Sequence, residues 1–315
     1  MCVATRICGL AILCVGLWTT PGGSTVAANP SPSPGLPPET PLVAISGPYR
    51  WPVVAARLGG ADGAEIRLIL DTGSPCTLLD SSLRGRLGRS RDAEKVVSFR
   101  GSQQGELHPR PTISIQGVSL LGGSNVVTVE LSRLIPPLRP HVDGILGMDC
   151  LRHYCVQLDF HAKQLRFLDP GRLDTNQLGR AFPLEFETEH SHGGIPLLRY
   201  PGLLGGNGTN TVIDTGDGGD GTARGDAIRH HAPGSYSGNF LRRCKHFLAV
   251  EGLVDRGVQL PGCVWAGNTY TNIVMDHGSG RWSDWIGVRF LARHVVTLDF
   301  PDRTMYLRQF SVGPI

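Results

Sequence analysis

The 315-residue chain lacks the features that would indicate a membrane protein or a nucleic-acid-binding protein. No apolar run reaches the roughly 20 residues needed to span a bilayer, so stable membrane insertion is not expected. The formal net charge is only +3. Aromatic residues are not interleaved with basic ones as stacking platforms require, so nucleic acid is not an expected partner.

Sequence motifs for metal, nucleotide and serine-hydrolase chemistry are also missing. There is no HExxH helix, no CxxC pair, no phosphate-binding loop and no GxSxG elbow after a strand. Asp214, Asp217 and Asp220 recur every three residues. A calcium loop of the EF-hand type needs alternate positions and a final Glu, where Gly225 stands. The sequence therefore predicts no metal and no cofactor.

The N-terminal region has the pattern of an export signal. Arg6 precedes an apolar stretch, and small residues follow at positions 26–28, which predicts a signal peptide over residues 1–28. We expect an exported protein that is secreted, periplasmic or at the cell surface. Residues 29–41 are too rich in proline for a helix or a central strand and are predicted to form a linker.

The remainder of the chain has a composition typical of many short strands. It contains 42 glycines and 23 prolines, and only 18% of its residues are charged. Apolar runs over 51–58 and 64–70, joined by a glycine-rich turn, predict a β-hairpin that leads into Asp71. The same pattern returns after residue 180 and leads into Asp214.

An internal repeat relates the two halves. The segment ILGMDCLRHYCVQLDFHAKQLRFL, which starts at Ile145, aligns without gaps to WIGVRFLARHVVTLDFPDRTMYLR, which starts at Trp285. Each copy predicts one helical turn followed by two strands. We therefore predict an all-β, bilobal fold with short helices, with one lobe at 42–172 and a homologous lobe at 180–310.

Each half also contains an Asp-Thr-Gly motif directly after an apolar strand, in LILDTGS (68–74) and TVIDTGD (211–217). A single copy would be as consistent with a surface turn as with a functional site. Two copies, each followed at a similar distance by an apolar pair and Gly, favour function. Glycine beside the Asp permits close approach of another backbone, and the Thr hydroxyl can bond across to a neighbouring loop.

Two carboxyl groups in contact predict a specific chemistry. They cannot both ionise cheaply, so the pair holds one proton across mildly acidic pH. The ionised member can accept a proton from an attacking water while the protonated member donates one to the developing oxyanion. Such a mechanism requires no covalent intermediate.

The paired motifs and the apolar-apolar-Gly elements resemble the pepsin-like and retropepsin-like superfamily of aspartic proteases. The resemblance extends over about residues 42–310, and is to bacterial exported proteins with two retropepsin-like units in tandem. It implies a monomeric aspartyl protease, a hydrolase that cuts polypeptide, with Asp71 and Asp214 as catalytic dyad. It further implies supporting roles for the catalytic loops (Thr72, Gly73, Ser74, Thr215, Gly216, Asp217) and for the apolar-Gly elements beneath them (Ile145, Leu146, Gly147, Trp285, Ile286, Gly287).

The same resemblance implies a β-hairpin flap over the substrate, some 20 to 30 residues after the first Asp. The candidate is SFRGSQQG at 98–105, centred on Arg100, Gly101 and Ser102. An ordinary exposed hairpin is an equally good interpretation of this segment.

The second motif departs from the family pattern. The hydroxyl of Ser74 is expected to hydrogen-bond the outer oxygen of Asp71, but the equivalent residue after Asp214 is Asp217. Pointing inward, Asp217 would repel the ionised dyad and raise its pKa values; pointing to solvent, it would cost Asp214 one hydrogen bond. Two alternatives remain open: an inactive peptide-binding or scaffold protein, and a first lobe that is active as a homodimer.

Overall fold

The computed structural model describes residues 13–15, 35–44, 50–60, 62–98, 101–187, 194–204, 210–224, 258–278 and 284–315. The described residues form two large β-sheets with only short helices, which confirms the predicted all-β class. Apart from 13–15, the predicted signal peptide lies outside the described residues, as do linker residues 29–34. None of the helices in the described ranges combines the length and apolarity that a membrane crossing requires.

The N-terminal half contains thirteen of the described strands and the first α-helix. The strands are β1 (Leu13–Val15), β2 (Thr40–Pro41), β3 (Val53–Leu58), β4 (Ala64–Leu70), β5 (Leu78–Asp80), β6 (Asp92–Ser98), β7 (Gly101–Pro109), β8 (Ile113–Ile115), β9 (Val118–Ser119), β10 (Asn125–Val129), β11 (Gly144–Leu146), β12 (Cys155–Asp159) and β13 (Gln164–Leu168). Helix α1 is Met148–Leu151, and 3-10 turns cover Ser81–Arg86, Leu131–Arg133, Pro170–Arg172 and Thr175–Gln177.

The C-terminal half repeats this arrangement with nine described strands. They are β14 (Arg180–Phe186), β15 (Pro196–Leu198), β16 (Thr211–Asp214), β17 (Gly221–Arg224), β18 (Val258–Trp265), β19 (Asn268–Gly278), β20 (Trp285–Gly287), β21 (His294–Asp299) and β22 (Thr304–Gln309). Helix α2 is Val288–Leu291, at the position equivalent to α1 in the repeat.

Both hairpins predicted to lead into the motifs are present. Strands β3 and β4 pair antiparallel, and β4 ends directly before Asp71. Strands β15 and β16 pair antiparallel, and β16 ends at Asp214. In each half the motif strand also has a parallel neighbour, β11 beside β4 and β20 beside β16. The side chains of these neighbouring strands are buried, because each strand is covered on both faces.

A six-stranded sheet joins the halves, in the order β2, β13, β12, β21, β22, β14. At its centre β12 and β21 run antiparallel, with Gln157 opposite Thr297. These two residues are equivalent in the sequence repeat, so the pseudo-twofold axis passes between them, and Gln157 Nε2 donates to Thr297 Oγ1 at 2.9 Å. Thr40 and Pro41, the end of the predicted linker, form the edge strand β2.

Strand β1 lies within the predicted signal peptide and pairs antiparallel with β6, where Leu13 faces Val97 and Val15 faces Lys95. Strand β6 in turn forms a hairpin with β7. Removal of the signal peptide, which stays a prediction, would leave β6 at the edge of the first sheet.

Candidate active site

The two aspartates of the repeated motifs lie at the ends of buried strands, and both are fully buried. The backbone N–H of Asp71 donates to the carbonyl of Leu146 in the parallel neighbour β11, at 3.0 Å. Asp214 stands opposite Gly287 in the equivalent pairing of β16 with β20. The backbone pairing within the buried sheet of each lobe therefore fixes the position of its aspartate.

The two threonines of the motifs hold the lobes together at this point. The Thr72 N–H donates to Thr215 Oγ1, and the Thr215 N–H donates to Thr72 Oγ1, each at 3.0 Å. The Thr72 hydroxyl donates to the carbonyl of Ile213 at 2.6 Å, and the Thr215 hydroxyl donates to that of Leu70 at 2.7 Å. The expected bonding of each hydroxyl across to the other loop is thus present, and four buried bonds cross between the lobes.

The glycines of the motifs allow this close approach. A Cβ atom on Gly73 would overlap the carboxyl of Asp214, and one on Gly216 would overlap that of Asp71. Each glycine also donates its N–H to the Asp of its own loop, at 2.8 Å from Gly73 to Oδ1 of Asp71 and 2.7 Å from Gly216 to Oδ1 of Asp214. Each aspartate therefore packs against the backbone of the opposite lobe.

The second oxygen of each aspartate, Oδ2, is buried. No N–H or hydroxyl of the described residues donates to Oδ2 of Asp71 or Asp214, and the opposite carboxyl is within hydrogen-bonding reach. Burial raises the pKa of both groups, and the negative charge of Asp71 raises the pKa of Asp214 further. A single proton shared by the pair would satisfy both carboxyls.

The apolar-Gly elements lie directly beneath the loops of the two Asp-Thr-Gly motifs. The N–H of Met148, after Gly147, donates to the carbonyl of Ser74 at 2.7 Å, and the N–H of Val288, after Gly287, makes the same bond to Asp217. A side chain on either glycine would overlap loop backbone. The predicted apolar residues of these elements are all buried: Ile145, Leu146, Trp285 and Ile286.

The expected role of Ser74 was wrong. Its hydroxyl donates to the carbonyl of Cys76 at 2.7 Å and so closes a turn within its own loop. The bonds that oppose the raised pKa of Asp71 come instead from the carboxyl of Asp214 and from the backbone N–H groups of Gly73 and Ser74.

Asp217 points inward, which is the first of the two alternatives stated above. Its side chain is 4% exposed, and its Oδ1 accepts from the Gly219 N–H at 2.9 Å. Burial, and then the charge of Asp214, raise the pKa of Asp217 well above its usual range. Asp214 still accepts the N–H of Asp217 at 3.1 Å, so the departure from the family pattern adds a neighbouring acid without removing this hydrogen bond.

Sequence reasoning missed a second layer of polar contacts behind each loop. In the first lobe the Thr77 hydroxyl donates to Asp149 at 2.7 Å, and Arg110 lies 3.3 Å from the same carboxylate. In the second lobe Asp220 forms ion pairs with Arg293 at 3.0 Å and Arg289 at 3.2 Å. A signal was present, because the gapless alignment of the lobe ends places Asp149 opposite Arg289.

The flap candidate lies on the hairpin of β6 and β7, where Ser98 pairs with Gly101. Gly101 and Ser102 begin β7, whereas Arg100 lies outside the described residues. The hairpin exists at the expected distance from Asp71, and its function as a lid remains a proposal.

Comparison with known proteins agrees with this geometry. Residues 54–150 match a family model described as aspartyl protease. Among solved structures, Basic 7S globulin from soybean is similar, with 12% sequence identity and a TM-score of 0.53 over 87% of this chain and 96% of the globulin chain. At that identity the likeness concerns the fold alone. A search of curated proteins found no match.

The match over residues 54–150 and the similar fold support the resemblance to the pepsin-like and retropepsin-like aspartic protease superfamily. The matched segment contains Asp71 and the first apolar-Gly element and ends at Cys150, before the second lobe begins. The second half-site is therefore assigned from the repeat and from its contacts with the first.

Proposed function

We propose that the protein is an aspartic endopeptidase that hydrolyses peptide bonds with the Asp71 and Asp214 pair. The observation that supports this most directly is the reciprocal bonding of Thr72 and Thr215, because it holds one aspartate from each lobe against the other within a single chain. The aspartyl protease family match supports the class of activity.

The proposed reaction uses one proton on the aspartate pair. The ionised carboxyl accepts a proton from a water as its oxygen attacks the carbonyl carbon of the peptide, and the protonated carboxyl donates to the carbonyl oxygen. Collapse of the tetrahedral intermediate breaks the C–N bond: one of its hydroxyl groups returns a proton to the ionised carboxyl, and the leaving nitrogen takes up the proton of the other carboxyl, so the pair again holds one proton. The products are a carboxylic acid and an amine, and no bond forms between enzyme and substrate.

The proposed substrate is an extended polypeptide bound between the lobes by a monomeric, exported enzyme. Strand β6 and its partner β7 form the only described hairpin at the position expected for a flap, and closure over the substrate would exclude bulk water from the aspartates.

The test is cleavage of an unfolded polypeptide at mildly acidic pH by the mature chain and its variants. Asp71→Asn and Asp214→Asn should each reduce the rate by about 10²-fold to 10⁴-fold, since each removes one partner in proton transfer. Asp174→Asn is the matched control, because Asp174 is an exposed acid away from the motifs and should leave the rate unchanged. Cleavage that survives either dyad substitution would rule the mechanism out.

The same experiment separates the two alternatives. An inactive peptide-binding protein, for which the buried acid Asp217 beside Asp214 is the main argument, would bind unfolded peptide saturably without cutting it. A first lobe active as a homodimer would retain activity in Asp214→Asn. The bonds between Thr72 and Thr215 within one chain favour the intramolecular pair over that homodimer.

A further inference from the structure

Asp217 is a buried acid that the proposed reaction does not use. A Cβ atom on Gly287 would lie only 3.0 Å from its carboxyl carbon, so the backbone of β20 packs against this group. Its Oδ1 accepts the N–H of Gly219, whereas no donor of the described residues reaches its other oxygen, Oδ2, which is also buried. The carboxyl is therefore enclosed with a single hydrogen-bond donor.

Asp220, three residues further along, is also buried but is matched by two cations. Arg293 and Arg289 lie 3.0 and 3.2 Å from its carboxylate, and the N–H of Val274 donates to it at 2.8 Å. Within the described ranges, no arginine, lysine or histidine forms an ion pair with Asp217. An ionised carboxyl buried with one N–H donor and no cation is costly. The surroundings of Asp217 therefore favour its neutral, protonated form.

The other charges that face Asp217 favour the same form. Asp214 lies on its own loop, Asp276 lies on β19, and Asp220 precedes β17. Burial, and then the charge of Asp214, raise the pKa of Asp217, and the charges of Asp276 and Asp220 raise it further, whereas the N–H of Gly219 opposes the shift. The two arginines of this region are paired with Asp220 rather than with Asp217.

We propose that Asp217 is a positioning residue that extends the reaction of the aspartate pair toward neutral pH, an inference that rests on the proposed function. Asp217 holds a proton of its own at mildly acidic pH and releases it before the pair releases its last proton. The charge left on Asp217 then holds that last proton on the pair. The pair stays singly protonated, and therefore active, up to a higher pH than it would beside a neutral residue.

The order of these two steps follows from the distances between the charges. Full ionisation of the pair places two negative charges on the carboxyls of Asp71 and Asp214, which are within hydrogen-bonding reach. Asp217 bonds to Asp214 through its backbone N–H and not through its carboxyl, so its charge lies outside that contact. Because repulsion falls with distance, Asp217 ionises first. Its negative charge then raises the pKa of Asp71, which keeps the proton on the pair.

The test is the pH profile of kcat/KM for an unfolded polypeptide, measured on the unchanged protein and on Asp217→Asn. Asparagine has nearly the shape of the neutral acid and cannot ionise. The basic limb should move to lower pH by about one unit, because no charge at position 217 raises the pKa of the pair. The acidic limb should stay in place, because residue 217 is neutral there in both proteins. The exposed acid Asp174 provides the control, since Asp174→Asn should leave both limbs in place.

Either of two other profiles would overturn the role of Asp217. A shift of both limbs would show that Asp217 is ionised throughout the working range. A basic limb that does not move would show that the charge of Asp217 does not act on the pair. If Asp217→Asn fails to fold, Asp217→Ser, which introduces the residue type of the matched position in the first loop, replaces it with the same expectation.

Infrared titration of the full chain gives a second readout that does not need cleavage. Protonated carboxyl groups and carboxylates absorb at different frequencies, so the unchanged protein at mildly acidic pH should show one more buried protonated carboxyl than Asp217→Asn. Asp71→Asn should retain this signal. Cleavage without the signal would overturn the role of Asp217 and leave the protease intact, whereas the signal without cleavage would support the buried proton and overturn the proposed reaction.

Discussion

The loops of the two Asp-Thr-Gly motifs differ most in the polar contacts that support them from the side opposite the aspartates. Thr77 and Asp220 each stand six residues after the Asp of their motif, and Asp149 and Arg289 each stand two residues after the supporting Gly. Equivalent positions of loop and helix are in contact in both lobes, but the residue types at these positions are exchanged. The acid belongs to the helix in the first lobe and to the loop in the second.

The different supporting contacts go with different loop sequences. The first loop continues as PCTLLD, whose apolar residues pack into the core, whereas the second continues as GGDGTAR. In the second lobe a fully buried ion pair of Asp220 with Arg293 takes the place of that packing. Arg293 also donates to the carbonyls of Thr271 and Val312, so one guanidinium joins the loop to β19 and to the C-terminal segment.

The largest expected effect comes from breaking this ion pair. Asp220→Ala leaves Arg293 buried without its acid and should destabilise the protein by about 3–5 kcal/mol. Thr77→Val at the matched position should cost about 1–3 kcal/mol, because it removes the hydrogen bond to Asp149, which keeps Arg110, and the long bond from the Gly147 N–H. Urea unfolding of both variants measures the difference in free energy. Equal losses would refute the asymmetry, and adding Arg293→Met to Asp220→Ala should recover part of the loss.

A smaller and symmetric effect is expected where the loops are alike. Thr72→Val and Thr215→Val each remove a hydroxyl that both donates and accepts across the lobes, so each should cost about 1–3 kcal/mol and reduce cleavage. Thr269→Val, at an exposed position, serves as the control. The unfolding free energies of the two threonine variants should agree closely. A clear difference would show that the hydrogen bonds of Thr72 and Thr215 do not contribute equally to the contact between the lobes.

The next effect concerns Asp217 and depends on pH. Its pKa is raised in the folded state, so the unfolded chain releases this proton first as pH rises above about 4, and stability is progressively lost. Asp217→Ser should therefore stabilise the protein at pH 7 by about 1–2 kcal/mol and change little near pH 4. Unfolding measured at both pH values tests this, with Asp217→Asn expected to behave alike. A gain that is independent of pH would contradict the assigned cause.

The smallest effect is expected at Ser74, the residue equivalent to Asp217. Its hydroxyl bonds only to the carbonyl of Cys76 among the contacts described, so Ser74→Ala should cost about 0.5–1.5 kcal/mol. The pH profile of cleavage should keep its shape, since the hydroxyl does not bond to Asp71. A shifted profile would instead restore the role that the sequence first indicated.

The sequence predicted the duplication, both hairpins and the residues that meet at the centre, because these follow from local patterns that occur twice. It did not predict the contacts of side chains that have several possible partners or a partner distant in sequence. The hydroxyl of Ser74 could reach its own loop or Asp71, and only the folded loop decides. The pair of Asp220 and Arg293 is 73 residues apart and follows no short-range pattern. The opposite charges at Asp149 and Arg289 were visible in the alignment and could have predicted exchanged partners.

The pairing of Gln157 with Thr297 on the pseudo-twofold axis has a consequence for sequence divergence. In a symmetric dimer of identical lobes, every position must serve both sides of such a strand pairing with the same residue. Covalent joining of the two copies lifts that requirement while it retains the self-complementary geometry. The chain can therefore carry an acid on one helix and a base on the other, and a serine in one loop where its twin has a third carboxyl.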